Sequence, residues 1–341
     1  MKKLNTLLII FTLIVSCSQE NASEKYAESI TSKELSDLIF EFSSDKFEGR
    51  NTGEPGQKLA VEFIRNFYLE NNIDKADNTN DYFQKFLVDF ESRQVSNPNN
   101  MSDNNIDWVK TENVAAIIEG STYPDEYIVL TAHLDHVGTR NGEIYNGADD
   151  DGSGSMALLE IAEAFKLAEL DGNRPKRSII ILHVSAEEKG LLGSKYYSEN
   201  PLYPLDDTIT NLNLDMIGRT DPTRDSDNDN YIYLIGTDRL SKMLHETSEK
   251  VNDRTVNLEL DYRFNAWNDP NRFYERSDHW HFAKNNIPVI FYFSGTHEDY
   301  HRPTDTAEKI RYDLLTNRTK LIFHTAWEIA NMDSRIEVDQ N

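Results

Sequence analysis

The sequence predicts an α/β fold in three layers, with a mixed, mostly parallel sheet sandwiched between helices. Two observations carry this. Short apolar runs bounded by turn residues recur along the chain, and several are continuously apolar, as strands buried on both faces must be. Between them lie segments with apolar residues at helical spacing, and strands that alternate with helices imply parallel pairing through crossover connections.

The strand candidates are residues 82–90, 113–118, 127–132, 178–185, 209–214, 231–235 and 287–293. Leu158, Ile161, Ala162 and Phe165 repeat at helical spacing behind a Gly/Ser-rich start, so a helix opens near Ser155. Residues 238–251 and 305–332 also read as helices. Asp305, three residues before Glu308, offers the second of these a capping-box start. Residues 31–70 read as helical and are expected on the outside of the sheet. Residues 96–107 and 219–230 read as irregular loops, the second dense in Asp, Asn and Pro. No internal repeat and no second domain is visible, so 31–341 is taken as a single domain.

The first residues read as an address rather than as part of the fold. Lys2 and Lys3 precede an apolar run over 7–15, followed by Ser16 and Cys17, which is the layout of a secretory signal. The run is shorter than the ~20 residues a spanning helix needs. Cys17 is the only cysteine, which excludes an intramolecular disulfide and a thiolate zinc site. Its position after Leu13-Ile14-Val15-Ser16 resembles the bacterial lipobox. That resemblance implies a lipoprotein signal over 1–16, a lipidated Cys17 and a polar, flexible tether over 17–30. The protein is then expected to be exported and lipid-anchored to a bacterial membrane, on its periplasmic or cell-surface face. The formal charge of −24 makes nucleic acid and anionic membrane surfaces poor partners. Contact with the membrane is therefore expected through the anchor alone, and the acidity is read as solubility of an exported protein.

In a parallel sheet, ligands bind outside the carboxyl ends of the strands. Polar residues do follow the apolar runs there. His133-Leu134-Asp135 follows the run at 127–132, Glu187-Glu188 the run at 178–185, and Asp215 the run at 209–214. His297, Glu298, Asp299 and His301 follow the run at 287–293. A further acidic cluster, Asp149-Asp150-Asp151, sits between Gly147 and Gly152 just before the helix at Ser155. Three adjacent aspartates cannot all stay ionised cheaply unless water or a cation compensates them. Each group alone has an ordinary explanation as a solvated loop, a surface pair or a structural histidine. Their placement at successive strand ends is what points to one site.

The strings AHLDHVG, NGADDDGSG, SAEEKGLLGS, LNLDMIG, RSDHWHF and HRPTDT, in this order, closely resemble the M28 family of zinc metallopeptidases. The resemblance runs from about residue 113 to 310 and is specific, because six separate strings must occur together. It implies two zinc ions per chain held by His133, Asp149, Glu188, Asp215 and His301. In that scheme Asp149 bridges the ions, His133 and Asp215 complete one, and Glu188 and His301 complete the other. A set of nitrogen and oxygen donors suits catalytic zinc, which keeps a position open for water. The resemblance also makes Asp135 the acid that orients His133, Glu187 the general base and Tyr274 a holder of the carbonyl oxyanion. Because adjacent residues on an extended strand face opposite ways, Glu187 and Glu188 can share the site only if the chain turns there. His136, His279, His281 and His297 are left as supporting or structural residues, and His183 as a hydrogen-bonded core residue.

The implied activity is release of N-terminal residues from peptides. Within the same fold the rivals are a carboxypeptidase-type enzyme and a glutaminyl-cyclase-like acyltransferase. The cyclase type works with a single zinc, so a full five-residue donor set argues for hydrolysis. A rival of another class is a catalytically inactive, lipid-anchored binding protein, which loss of a ligand or of the base would have favoured; none is missing from the strings.

Overall fold

The structure is a computed structural model, described here for residues 22–79, 81–100 and 106–340. The signal segment and Cys17 lie outside the described residues, as do residues 101–105 of the loop expected at 96–107; the tether expected over 17–30 is corrected from residue 22 on, where the chain is helical and buries Tyr26, Ala27 and Ile30 in the core. Among the described residues, twelve strands form in chain order: β1 (Asp74–Lys75), β2 (Phe83–Asp89), β3 (Gln94–Ser96), β4 (Val109–Ile118), β5 (Tyr123–His133), β6 (Gly138–Arg140), β7 (Glu143–Tyr145), β8 (Arg177–Val184), β9 (Thr208–Leu214), β10 (Tyr231–Ile235), β11 (Glu259–Asp261) and β12 (Val289–Phe293). The α-helices that matter here are α1 (Ser32–Phe42), α2 (Pro55–Glu70), α3 (Gly154–Leu170), α4 (Leu192–Glu199), α5 (Lys242–Arg254), α6 (His279–Ala283) and α7 (Tyr312–Asn331).

The main sheet runs in the order β11-β10-β12-β9-β5-β8-β4-β2-β3, with β1 added beside β4; β6 and β7 form a separate ribbon. Its centre, β12-β9-β5-β8, is parallel throughout, while β10 pairs with β12, and β4 with β8, in antiparallel fashion. All seven strands expected from apolar runs are present. The short strands β1, β3, β6, β7 and β11 carry too few apolar residues to be recognised as runs.

Burial follows the pleat. Every residue of β8, β9, β10 and β12 is buried. On β8, Ile179 and Ile181 face a core shared with Leu158, Phe165 and Phe323, on α3 and α7. Ile180, Leu182 and Val184 face the opposite core with Tyr197 and Phe282, on α4 and α6. Successive side chains of an extended strand point to opposite faces, so an unbroken apolar run requires a cover on each side. His183 is fully buried, and its Nε2 lies 2.6 Å from the Tyr68 hydroxyl. Burial pushes its imidazole down to about 3, so it sits in the core as a neutral, hydrogen-bonded ring.

Two helix starts differ from expectation. Thr31 caps α1 as the sequence implies, its hydroxyl accepting from the Glu34 amide. The last helix, however, begins at Tyr312 rather than at Asp305. The Asp305 carboxylate is turned inward, where it accepts from the backbone amides of Asp149 and Asp150. Ser241 likewise caps α5, three residues after the expected start at 238, by accepting from the Leu244 amide. Among the described residues, no helix is long and apolar enough to cross a membrane.

Candidate functional site

The four parallel central strands end at one edge of the sheet, and each delivers part of the site. His133 is the last residue of β5, Glu187 and Glu188 follow β8, Asp215 follows β9, and His301 lies in the loop after β12. After β8 the chain does turn. Ala186 takes φ +61°, and the Glu187 carbonyl accepts from the amides of Gly190 and Leu191, which brings both glutamates to the site.

Asp150, and not Asp149, occupies the centre. One oxygen of its carboxylate, Oδ1, lies 3.1 Å from His133 Nε2. The other, Oδ2, lies 3.1 Å from His301 Nε2 and 3.7 Å from His136 Nδ1. Asp149 points the other way. Its Oδ1 accepts from the Gly218 amide at 2.6 Å, and its Oδ2 is 3.1 Å from His297 Nε2. The third aspartate is also spent on the backbone, accepting from the amides of His133, Gly154 and Met216. The reason is local. Asp150 (φ −103°, ψ 94°) and Asp151 (φ −116°, ψ 50°) leave helical geometry just before α3 begins, so three successive carboxylates radiate to three places. Only the middle one faces the imidazoles of His133, His136 and His301.

Arg50 holds this loop in place. Its fully buried guanidinium donates to the carbonyls of Leu134, Phe42, Asn146 and Gly147. That is enough to satisfy a charge which, buried and unpaired, would cost several kcal/mol. Burial lowers its guanidinium to about 10, so it remains a cation.

Two groups of donor atoms converge. On one side stand His133 Nε2, Asp150 Oδ1 and Asp215 Oδ1, with 3.7 Å between the imidazole and Asp215. The Asp215 carboxylate is steadied by the Ser277 hydroxyl, which donates to its Oδ2. On the other side stand Asp150 Oδ2, Glu188 Oε1, His301 Nε2 and His136 Nδ1. Glu188 Oε1 is 2.9 Å from His136 and 3.1 Å from His301. Three of these four atoms, His136 Nδ1, Asp150 Oδ2 and Glu188 Oε1, are buried without a hydrogen bond. Tetrahedral zinc with bonds of ~2.0–2.2 Å places its donors about 3.4 Å apart, and the separations here bracket that value. Buried donors that crowd together yet point past one another fit a common cation. Electrostatics agrees: burial and Asp150 push the Glu188 carboxyl up, but His136 and His301 outweigh them and bring it down to about 2.

The remaining sequence expectations divide. Glu187 lines the site, with Oε2 at 4.0 Å from His133 Nε2 and its amide donating to Asp135 Oδ1. Burial, reinforced by Glu188, Asp278 and Asp215, raises its carboxyl well above the ordinary value. Asp135 does not orient His133 through its carboxylate, which is 4.0 Å from Nδ1. Its backbone carbonyl does so at 3.0 Å, while the carboxylate accepts from the Thr52 hydroxyl and the Glu187 amide. Tyr274 is not at the site. The Arg239 guanidinium covers its ring at 3.9 Å, Trp280 meets it edge-on, and it does not line the cavity containing His133. Tyr300 and Arg276 line that cavity instead, and the Tyr300 ring stacks on His301 at 4.0 Å. His136, a supporting residue in the sequence reading, stands among the donors instead, and HLDH does offer two imidazoles three residues apart. His297 keeps its supporting part, through Asp149.

The cavity beside His133, Asp150, Glu187 and Asp215 measures about 40 Å³ and is walled by Met216, Phe273, Phe291 and Phe293. It joins a larger open groove through Glu187, Arg276 and Tyr300.

Comparison with known proteins fits this geometry. Residues 113–326 match the profile described as Peptidase family M28. Aminopeptidase Y of Saccharomyces cerevisiae is 28% identical over 234 residues, which is 65% of this chain and 40% of that protein. The chain thus spans less than half the length of that relative. Among solved structures, the LapA aminopeptidase of Legionella pneumophila superposes with a TM-score of 0.67 at 20% identity, covering 92% of this chain and 75% of the other. The Porphyromonas gingivalis glutaminyl cyclase superposes with a TM-score of 0.63 at 16% identity, covering 87% and 97%. At these identities the superpositions speak for the fold alone, and the fold is shared by peptidase and cyclase alike.

Proposed function

Since the chain belongs to peptidase family M28, we propose that it is a dinuclear zinc aminopeptidase that releases N-terminal residues from peptides. The observation that carries this reading is the Asp150 carboxylate, whose two oxygens each face a separate group of histidine and carboxylate donors. His133, Asp150 and Asp215 would hold one zinc; Asp150, Glu188, His301 and His136 would hold the other. The first group has three protein donors and so keeps a position for water and substrate, as catalytic zinc requires; the second, with four, is closed. When bound, the two ions would polarise the scissile carbonyl and make a water acidic enough to lose its proton near neutral pH. Glu187 takes that proton on its carboxylate and returns it to the departing amine. Asp135 fixes the Glu187 backbone, and its carbonyl holds the His133 ring in the tautomer that presents Nε2. The apolar wall of the small cavity, Met216, Phe273, Phe291 and Phe293, faces the side chain of the N-terminal residue. Arg276 and Tyr300, rather than Tyr274, stand where a carbonyl oxygen would need a donor.

The test is a screen of purified protein against N-terminal aminoacyl reporters and C-terminally blocked or free peptides, with and without chelator. Chelator-sensitive release from the amino end is the expected result. Release only from the carboxyl end, or cyclisation of N-terminal glutamine without hydrolysis, would replace the proposal with one of its rivals.

The part of His136 is separately testable. His136→Gln should leave one zinc bound as tightly as before and weaken the other by at least the ~10–100-fold that even an indirect ligand contact is worth. Competitive chelator titration reads this without reference to turnover. Two unaltered binding steps would return His136 to a structural role.

We also propose that Cys17 carries a lipid anchor. Cys17→Ser is expected to abolish acyl labelling and move the protein from the membrane to the soluble fraction; unchanged fractionation would refute the anchor.

A further inference from the structure

The groove that continues from the site has a volume of about 920 Å³, and its charge runs against that of the whole protein. The chain carries 59 acidic against 35 basic residues. Yet Arg93, Lys189, Lys195, Arg276 and Lys284 all line this groove. Its acids are the two site glutamates and Glu275, and Glu275 is already engaged by Arg272. Among the described residues none of the five cations has a carboxylate partner. They rest instead on rings and backbone: Lys189 over Phe90, Lys284 over Trp280, Arg276 over Phe273, and Lys195 donating to the Arg93 carbonyl. Single cations elsewhere also rest on rings, as Lys85 does over Phe83 and Arg140 over Tyr145; the groove differs in bringing five to one cavity.

The groove is tied to the catalytic turn. Gly190, in the turn that carries Glu187 and Glu188, has φ +110°, and a Cβ there would come within 3.4 Å of the Arg93 side chain. The absence of that Cβ lets Arg93, from the β2–β3 turn, lie against the loop bearing the glutamates. A peptide whose first residue lies in the cavity beside His133 and Asp150 has its next residues directed past Glu187, Arg276 and Tyr300, which line both cavity and groove, into these cations.

We propose that this groove binds the part of a peptide beyond the scissile bond and selects carboxylates there. The inference rests on the peptidase reading and adds to it the chemistry of the leaving segment. The carboxylate can be an acidic side chain or the free end of a short peptide. The groove gathers positive charge in a protein that otherwise repels anions, so it confers selectivity and faster capture more than tight binding.

The experiment uses zinc-loaded protein and tripeptides that differ only in the third residue, glutamate, glycine or lysine, each with a free or an amidated carboxyl end. The expected order of kcat/KM is glutamate over glycine over lysine, with about tenfold between the extremes, and it should flatten at high salt. A fall on amidation that is the same for all three peptides identifies the terminal carboxylate as the group selected; a spread that survives amidation identifies the side chain. Arg93→Glu and Lys284→Glu alter exposed groups without a carboxylate partner and should reverse the order. Rates in the parent protein that depend neither on the third residue nor on amidation, or a preference that the two variants preserve, would overturn the inference. If no peptide is hydrolysed, the peptidase reading fails by itself. Calorimetric titration with the same peptides then decides the groove: tighter binding of the glutamate peptide sustains it, and equal binding removes it.

Discussion

Asp150→Asn should lower the zinc content from two ions per chain to at most one and reduce peptide hydrolysis to background. The reason is geometric. The two oxygens of Asp150 face opposite groups of donors, His133 on one side and His136 with His301 on the other. An amide keeps the size of the side chain but offers a single acceptor and no charge. It cannot bridge, and it withdraws the negative charge that two cations share. Asp149→Asn is the control, because the two substitutions are identical in chemistry and adjacent in sequence. The Asp149 carboxylate accepts from the Gly218 amide and faces His297. Its amide analogue can still accept from Gly218, so both ions should stay bound and the effect should appear as lower thermal stability, of order 1–3 kcal/mol for disturbing a buried charged hydrogen bond. Metal analysis and thermal melts of the two proteins side by side separate the assignments. Loss of both ions from the Asp149 variant, with retention in the Asp150 variant, would restore the bridging role to Asp149.

The second large effect is expected at Glu187. A general base handles a proton without holding the ion, so its removal should be separable from loss of metal. Glu187→Gln keeps the shape and the backbone bond to Asp135 but removes the basic oxygen. Both zinc ions should remain, and kcat should fall by about 10²–10⁴-fold, the usual worth of a positioned acid or base, with little change in KM. Glu188→Gln should instead lose metal first and activity as a consequence, since Glu188 Oε1 stands among the donors of the second group. Near-normal turnover by a fully metallated Glu187→Gln protein would remove the proposed mechanism.

What the sequence could disclose depended on whether the signal was local. Apolar runs long enough to fill a strand, such as 178–185 and 231–235, correspond to β8 and β10, because burial on both faces demands continuous apolar composition. The placement of His133, Glu187, Glu188, Asp215 and His301 at strand ends was legible for a related reason: a parallel sheet brings all carboxyl ends to one edge, whatever the loops do. The turn at Glu187-Glu188 followed from strand periodicity once the family resemblance had put both glutamates in one site.

Other assignments needed directions that no spacing carries. Which of Asp149, Asp150 and Asp151 faces the centre depends on backbone angles within one turn, and these are imposed by Asp305 and Arg50, far away in the chain. Asp305 shows the same dependence from the other side, because its capping signal is overridden by two buried amides that require an acceptor. Tyr274 has the right distance from Asp278 but turns beneath Arg239, and Tyr300 takes the cavity wall. His136 is only three residues from His133, and its convergence with Glu188 and His301 is decided by how three separate strand-end loops fold over one another. By itself, then, the sequence determined the layered fold and the edge of the sheet where chemistry must sit, since these rest on apolar runs and the period of a strand, while the family was legible from six strings that resemble M28 peptidases. The tertiary structure alone decided which aspartate stands at the centre of the site, which imidazoles face it and where cations gather, because each is a matter of side-chain direction set by contacts between residues distant in the chain.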